Sequence, residues 1–222
     1  MKLLVTGITG TVGSEVLRQA ILDNSITSIF ALGRNAPEVI HPKIQFINHS
    51  NFLDYSGLGK IISECDYCLW CLGVSQSQVS KEKYQEITFD YTIAAAKAIQ
   101  LYNPKCSFMF VSGDGADPSG KTKMLFGKVK GATEKALAQM DFPHFYSVRP
   151  GGIQPIHQHK NIALVNKIMI PFYPIIKILA PSVMITSVQL AQAMLAIIKE
   201  SGPKSIYENI DLLNIAKNIN PR

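Results

Sequence analysis

The stretch Leu3-Leu4-Val5-Thr6-Gly7-Ile8-Thr9-Gly10-Thr11-Val12-Gly13-Ser14-Glu15-Val16-Leu17-Arg18 decides the reading of this chain. Its first four residues form a short apolar run, as in a fully buried strand. Gly7, Gly10 and Gly13 follow at intervals of three, and Ser14 to Arg18 opens a helix. Glycine permits a tight turn and lets another group approach the backbone closely. A helix that starts on such a turn offers unpaired N–H groups and the positive end of its dipole to an anion. Strand, glycine turn and helix in that order make a pyrophosphate cradle, with Gly7, Thr9, Gly10, Thr11, Val12 and Gly13 as its candidate residues.

Working outward, short apolar runs alternate with amphipathic stretches. Strands are predicted at Lys2–Val5, Ser28–Leu32, Ile44–Ile47, Tyr67–Leu72, Ser107–Ser112 and His144–Val148. Helices are predicted at Thr11–Asp23, Tyr55–Glu64, Lys81–Leu101, Lys123–Met140 and Val188–Glu200. Such alternation implies βαβ units and a parallel sheet. The fold class is therefore α/β, a Rossmann-type doubly wound parallel sheet, in a single domain over residues 1–222. After Gly152 the composition shifts to Pro, His and long aliphatics, so residues 152–187 are expected to form a small cap or pocket segment.

The end of the second strand bears on the choice of dinucleotide. An Asp or Glu about 20 residues beyond the glycines accepts the ribose 2′-OH bonds in NAD-binding folds. Here Leu32 leads into Gly33-Arg34-Asn35, with no acid. Arg34 suits a 2′-phosphate by charge and by its forked donors. NADP(H) is the expected cofactor, with NAD(H) as the alternative.

Composition narrows the class. The 222 residues are 47% hydrophobic and 17% charged, which argues for a packed globular chain. The net charge of +6 favours anionic ligands, but no Lys/Arg stripe with interleaved aromatics points to nucleic acid. The apolar run from Ile162 to Ile185 is interrupted by Lys167, Lys177, Pro171, Pro174 and Pro181, which argues against a spanning helix and leaves a peripheral membrane contact as the lesser reading. Cys65, Cys68 and Cys71 are spaced like metal ligands. On a strand, however, residues three apart face opposite ways, so free core thiols and no metal are expected. With no secretory segment after Met1, a cytoplasmic protein is expected, as a monomer or homodimer acting on a small molecule.

A second phosphate motif competes. Gly115-Ala116-Asp117-Pro118-Ser119-Gly120-Lys121-Thr122 fits the P-loop pattern, after an apolar strand and before a helix. It lacks a partner strand ending in a magnesium-binding Asp, and the first βαβ unit already carries the other fingerprint.

The ordered set Val5-Thr6-Gly7-Ile8-Thr9-Gly10-Thr11-Val12-Gly13, Leu32-Gly33-Arg34, Cys71-Leu72-Gly73, Val111-Ser112-Gly113-Asp114-Gly115-Ala116-Asp117, Val129-Lys130-Gly131 and Ser147-Val148-Arg149-Pro150-Gly151 resembles an atypical short-chain dehydrogenase/reductase. More narrowly it resembles the Tat-interacting-protein-type NADPH-binding oxidoreductases, over residues 1–152. The resemblance implies NADPH lying over Gly7 to Gly13, Arg34, Leu72, Gly73, Lys130 and the backbone at Pro150, Gly151 and Gly152. It recasts the P-loop match as the variable loop after strand five.

The resemblance also implies a Ser, Tyr and Lys catalytic set. Ser112 matches the Ser, which polarises a carbonyl, and Lys130 matches the Lys, which holds ribose hydroxyls and lowers the Tyr pKa. The residue one helical turn before Lys130 is Phe126, which has no proton to donate. Tyr84 and Tyr91 on the preceding helix are the candidates for a replacement hydroxyl, and His157 and His159 read as loop histidines. Two function classes stay open. One is an oxidoreductase on a small carbonyl or hydroxyl substrate with a non-standard acid. The other is a catalytically inactive cofactor-binding regulatory or interaction module.

Overall fold

The computed structural model describes residues 1–157 and 182–219. Its central sheet begins with β1 (Lys2–Thr6), β2 (Ser28–Gly33), β3 (Ile44–Asn48), β4 (Tyr67–Trp70), β5 (Ser107–Val111) and β6 (Phe145–Arg149). A seventh strand, β9 (Ile206–Glu208), closes the edge, and β7 (Gly152–Gln154) pairs separately with β8 (Met184–Thr186). The order is β3-β2-β1-β4-β5-β6-β9, parallel throughout. This is the doubly wound sheet expected from the sequence. The three-residue strands β7, β8 and β9 were not expected, being too short to show a period.

Side-chain alternation on the strands builds two core layers. Leu3 and Val5 of β1 face one layer, with Val16, Leu17 and Ala20 of α1 (Thr11–Leu22) and Leu190, Met194 and Ile198 of α6 (Ser187–Lys199). Leu4 faces the other, with Trp70, Phe108, Phe110, and Ala95 and Ile99 of α4 (Tyr91–Tyr102). Burial on both faces explains why the strands read as continuous apolar runs.

The predicted helix Lys81–Leu101 is interrupted. α3 (Lys81–Gln85) passes through one π-turn, Glu86–Asp90, before α4. There the Thr88 carbonyl accepts the Thr92 and Thr133 hydroxyls, at 2.8 and 3.4 Å. The predicted helix at 55–64 shrinks to a 3₁₀ turn, Ser56–Leu58, and α2 (Gly59–Ile62). The start of the fourth predicted helix moves from Lys123 to Leu125, where α5 (Leu125–Ala138) begins, because Asp117 holds the preceding loop closed through Ser119 and Thr122. A last helix, α7 (Asn209–Ile219), follows β9.

The cysteine spacing is split by the sheet. Cys65 and Cys68 lie in the second core layer with Cys106, whereas Cys71 packs against the first. Burial pushes the Cys65 and Cys71 thiols up to about 12. Among the described residues no three His, Cys, Asp or Glu side chains stand together as a metal site, and no helix is long and apolar enough to cross a membrane. The apolar run from Ile162 lies mostly outside the described residues, as do His159 and most of the expected cap.

Candidate dinucleotide site

Strand order reverses between β1 and β4, and a ligand crevice opens at such a switch point, beyond the strands' carboxyl ends. Its floor is made by close backbone approach. Gly7 has φ +65°, and a Cβ there would collide with the Cys71 carbonyl that follows β4. A Cβ on Gly13 would collide with the Gly7 carbonyl. Thr6 Oγ1 accepts the Leu72 amide at 3.2 Å and so ties the two loops together. Gly73 has nothing within 4 Å of where a side chain would begin, so the floor is bare there.

The first turn of α1 is open. Gly10 is its N-cap, with no side-chain cap and no acid in the first turn. By contrast, Ser80 caps α3, and Thr186 with Gln189 forms a capping box on α6. An uncapped helix start leaves N–H donors and the dipole for an external anion. Thr9, Gly10 and Thr11 are partly exposed and Val12 is buried, so the turn presents backbone to the crevice. Arg34 is exposed one residue beyond β2 and, among the described residues, makes no ion pair or hydrogen bond.

On the other side, β5 and α5 bring Ser112 and Lys130 together. The Ser112 amide bonds the Val148 carbonyl at 2.8 Å, which fixes the strand end. Its hydroxyl is buried and approaches the Glu134 carboxylate without completing a hydrogen bond of good geometry. Lys130 is only 8% exposed. Its Nζ donates to the Val111 carbonyl at 2.8 Å and stands 4.6 Å from the Phe110 ring centre. Burial lowers its pKa to about 8, although Glu134 opposes the shift.

Phe126 lies against Gly113, the residue after Ser112. The tip of its half-buried ring stands 2.6 Å from where a Gly113 Cβ would be, so it packs on bare backbone. Tyr91 does not replace it: its hydroxyl donates to Glu86 at 2.8 Å, accepts from Lys83 at 3.2 Å, and its ring stacks on Phe52. Tyr84 is buried near Thr88, and burial pushes its phenol up. The Gly151 and Gly152 amides are spent internally, on Asn209 Oδ1 and on the Val183 carbonyl, both at 2.9 Å. Pro150 accepts the Asp114 amide, also at 2.9 Å. This corner can therefore offer a ligand shape, but not those two amide donors.

Several residues went unnoticed in the sequence. Glu134, 2% exposed, accepts from Ser147 Oγ at 2.7 Å and from Arg149 Nε at 2.9 Å. Asn209 also donates to the Ser182 carbonyl at 2.6 Å, so it joins the chain at both ends of the segment between β6 and β8. His157 lies in a loop, as expected, and its partner is what the sequence did not show: its Nδ1 lies 2.7 Å from buried Glu15 Oε2 on α1. The P-loop match forms no cradle. Asp117 turns inward on Ser119 and Thr122, and α5 begins only at Leu125.

A parallel sheet with an open helix start at its switch point defines a nucleotide-binding domain of the short-chain dehydrogenase type. The model of the NAD dependent epimerase/dehydratase family matches residues 3–131, more than half of the chain, and the chain belongs to that family. A relative from Neosartorya fischeri, "Protein fmp52-2, mitochondrial", is 27% identical over 164 residues, covering 73% of this chain and 71% of its own. The "Leucinostatins biosynthesis cluster protein T" of Purpureocillium lilacinum is 27% identical over 240 residues, covering 91% of this chain and 86% of its own.

Among solved structures, Thermus thermophilus UDP-glucose 4-epimerase complexed with NAD superposes with a TM-score of 0.70 at 15% identity, covering 98% of this chain and 83% of that one. The Bordetella bronchiseptica enzyme WbmF in complex with NAD+ gives 0.69 at 15% identity, covering 98% and 78%. At that identity the likeness establishes the fold alone. The expectation of a cytoplasmic protein is overturned: several relatives carry names that place them in mitochondria. Buried reduced thiols do not distinguish one reducing compartment from another.

Proposed function

We propose that this chain binds NADP(H) in the switch-point crevice and acts as a weak oxidoreductase on a small carbonyl or hydroxyl compound. The observation that carries this reading is the uncapped first turn of α1 at the β1–β4 switch point, with open space at Gly73 and with buried Lys130 and Ser112 near the end of β5. The residues present fit a dinucleotide. Positions that would block a pyrophosphate lack side chains, and the unpaired Arg34 suits a 2′-phosphate.

When bound, the nicotinamide supplies or accepts the hydride. The chain's own groups bind and orient. The Thr11, Val12 and Gly13 amides would hold the pyrophosphate, and Lys130 would hold ribose hydroxyls. Ser112 Oγ, free of a completed hydrogen bond, would donate to the substrate oxygen. Phe126 supplies no proton, so charge building on that oxygen receives less help than a phenol gives. The same residue favours a second reading, a dinucleotide-binding module without turnover.

Titration of native protein, Gly10→Val and Lys121→Ala with NADPH, followed by nicotinamide fluorescence, tests the binding. Native and Lys121→Ala should bind alike, and Gly10→Val should not bind. ATP binding with magnesium, lost in Lys121→Ala, would overturn the assignment. NADPH oxidation with a panel of carbonyls separates the two readings.

A further inference from the structure

We propose that Glu134 is the positioning residue of this site: its carboxylate supplies the counter-charge for the buried Lys130 ammonium and holds the β6 end that flanks it. The inference deepens the dinucleotide-reductase reading, which needs a cation at Lys130. Glu134 follows Lys130 by one helical turn, a spacing that places both on one face of α5. Among the described residues, the direct partners of Lys130 are the Val111 carbonyl and the Phe110 ring. A buried ammonium so placed is costly without an anion nearby.

The groups that face the pair decide which anion serves. Cys71 approaches Lys130, but burial keeps its thiol protonated to about pH 12. Glu134 is the carboxylate that acts on Lys130. Burial works against its charge, but the hydrogen bonds and charge of Arg149, with the Ser147 hydroxyl, outweigh burial and hold the carboxyl below its ordinary range. From β6, Arg149 reaches Glu134 through Nε and Nη2, and Ser147 adds its hydroxyl. Arg149 Nη1 also donates to Glu208 of β9 at 2.8 Å. Two cations, Lys130 and Arg149, thus stand with two anions, Glu134 and Glu208. Neutralising Glu134 leaves Lys130 without its counter-charge and Arg149 with Glu208 alone.

The test follows the Lys130 side chain in protein carrying 13C,15N-lysine, without dinucleotide, the signal being assigned by its loss in Lys130→Met. The native midpoint is expected near pH 8. Glu134→Gln should lower it by about one pH unit or more, a tenfold fall in proton affinity. Glu134→Asp, which draws the charge back by one methylene, should lower it by less. Ser147→Ala removes a hydrogen bond to the carboxylate but no charge, and should leave the midpoint in place. NADPH affinity should then decline above each variant's own midpoint. An unmoved midpoint in Glu134→Gln, or an equal shift in Ser147→Ala, overturns the proposal. If Glu134→Gln does not fold, an unmoved midpoint in Glu134→Asp overturns it instead. Failure of native protein to bind NADPH would defeat the dinucleotide reading and leave the titration standing.

Discussion

The Phe126 ring packs directly on the backbone of Gly113, its Cζ 2.6 Å from the point a Gly113 Cβ would occupy. Space at the end of β5 and the missing phenol are therefore one structural feature. Gly113→Ala should displace the ring and lower stability by about 1–3 kcal/mol, the usual cost of overfilling a packed site. In a Phe126→Ala background the same substitution should cost far less, giving a coupling of about 1 kcal/mol or more by chemical denaturation. Additive effects would show that the ring lies elsewhere in solution.

Restoring the phenol tests the missing acid. Phe126→Tyr should gain NADPH-dependent reduction of a reactive carbonyl, within the ~10²–10⁴-fold that a positioned general acid supplies. Lys130→Ala in that background should abolish the gain, since an unassisted phenol titrates near ~10. Steady-state rates at 340 nm decide. Robust turnover by native protein, unchanged in Tyr84→Phe, would place the acid outside this site.

Arg34 stands exposed and unpaired among the described residues at the end of β2. It should give NADPH an advantage of about 1.5–3 kcal/mol over NADH, the usual worth of hydrogen bonds to charged groups. Arg34→Ala should remove that difference and leave NADH affinity almost unchanged. Equal affinities in the native protein would take Arg34 out of the site.

Lys130 makes stability depend on pH with a defined sign. Its folded pKa, about 8, lies below its ordinary 10.5, so the unfolded chain holds more protons between those values and stability rises with pH through that window. From pH 8 to 9 the gain from this group is about 1 kcal/mol. Above the ordinary thiol value of 9.0 the buried cysteines act oppositely, because unfolding releases their protons. Urea unfolding across this range, native against Lys130→Met, isolates the lysine. Parallel curves would show that Lys130 titrates normally.

The legible part of the fold was local. β1, the glycine turn and α1 could be read because strand period, turn chemistry and helix start fall within sixteen residues. The Cys68–Cys71 split followed from strand geometry alone, and the core layers agree with it. Ser112 and Lys130 were placed by family resemblance, and the structure brings them to the same strand end. The rest depended on distant pairings. His157 meets Glu15 across 142 positions, and Asn209 meets Gly151 across 58. No local pattern marks such partners. The π-turn at Glu86–Asp90 was hidden because apolar spacing over a long helical stretch does not reveal one extra residue in a turn.

The central claim, a dinucleotide held at the β1–β4 switch point, is tested most directly by a crystal structure of the native protein with NADPH. The account predicts the pyrophosphate on the Thr11, Val12 and Gly13 amides, the 2′-phosphate against Arg34, and the nicotinamide facing Ser112 and Phe126. Phosphate density in the Gly115–Thr122 loop, or an empty crevice at saturating NADPH, would contradict it.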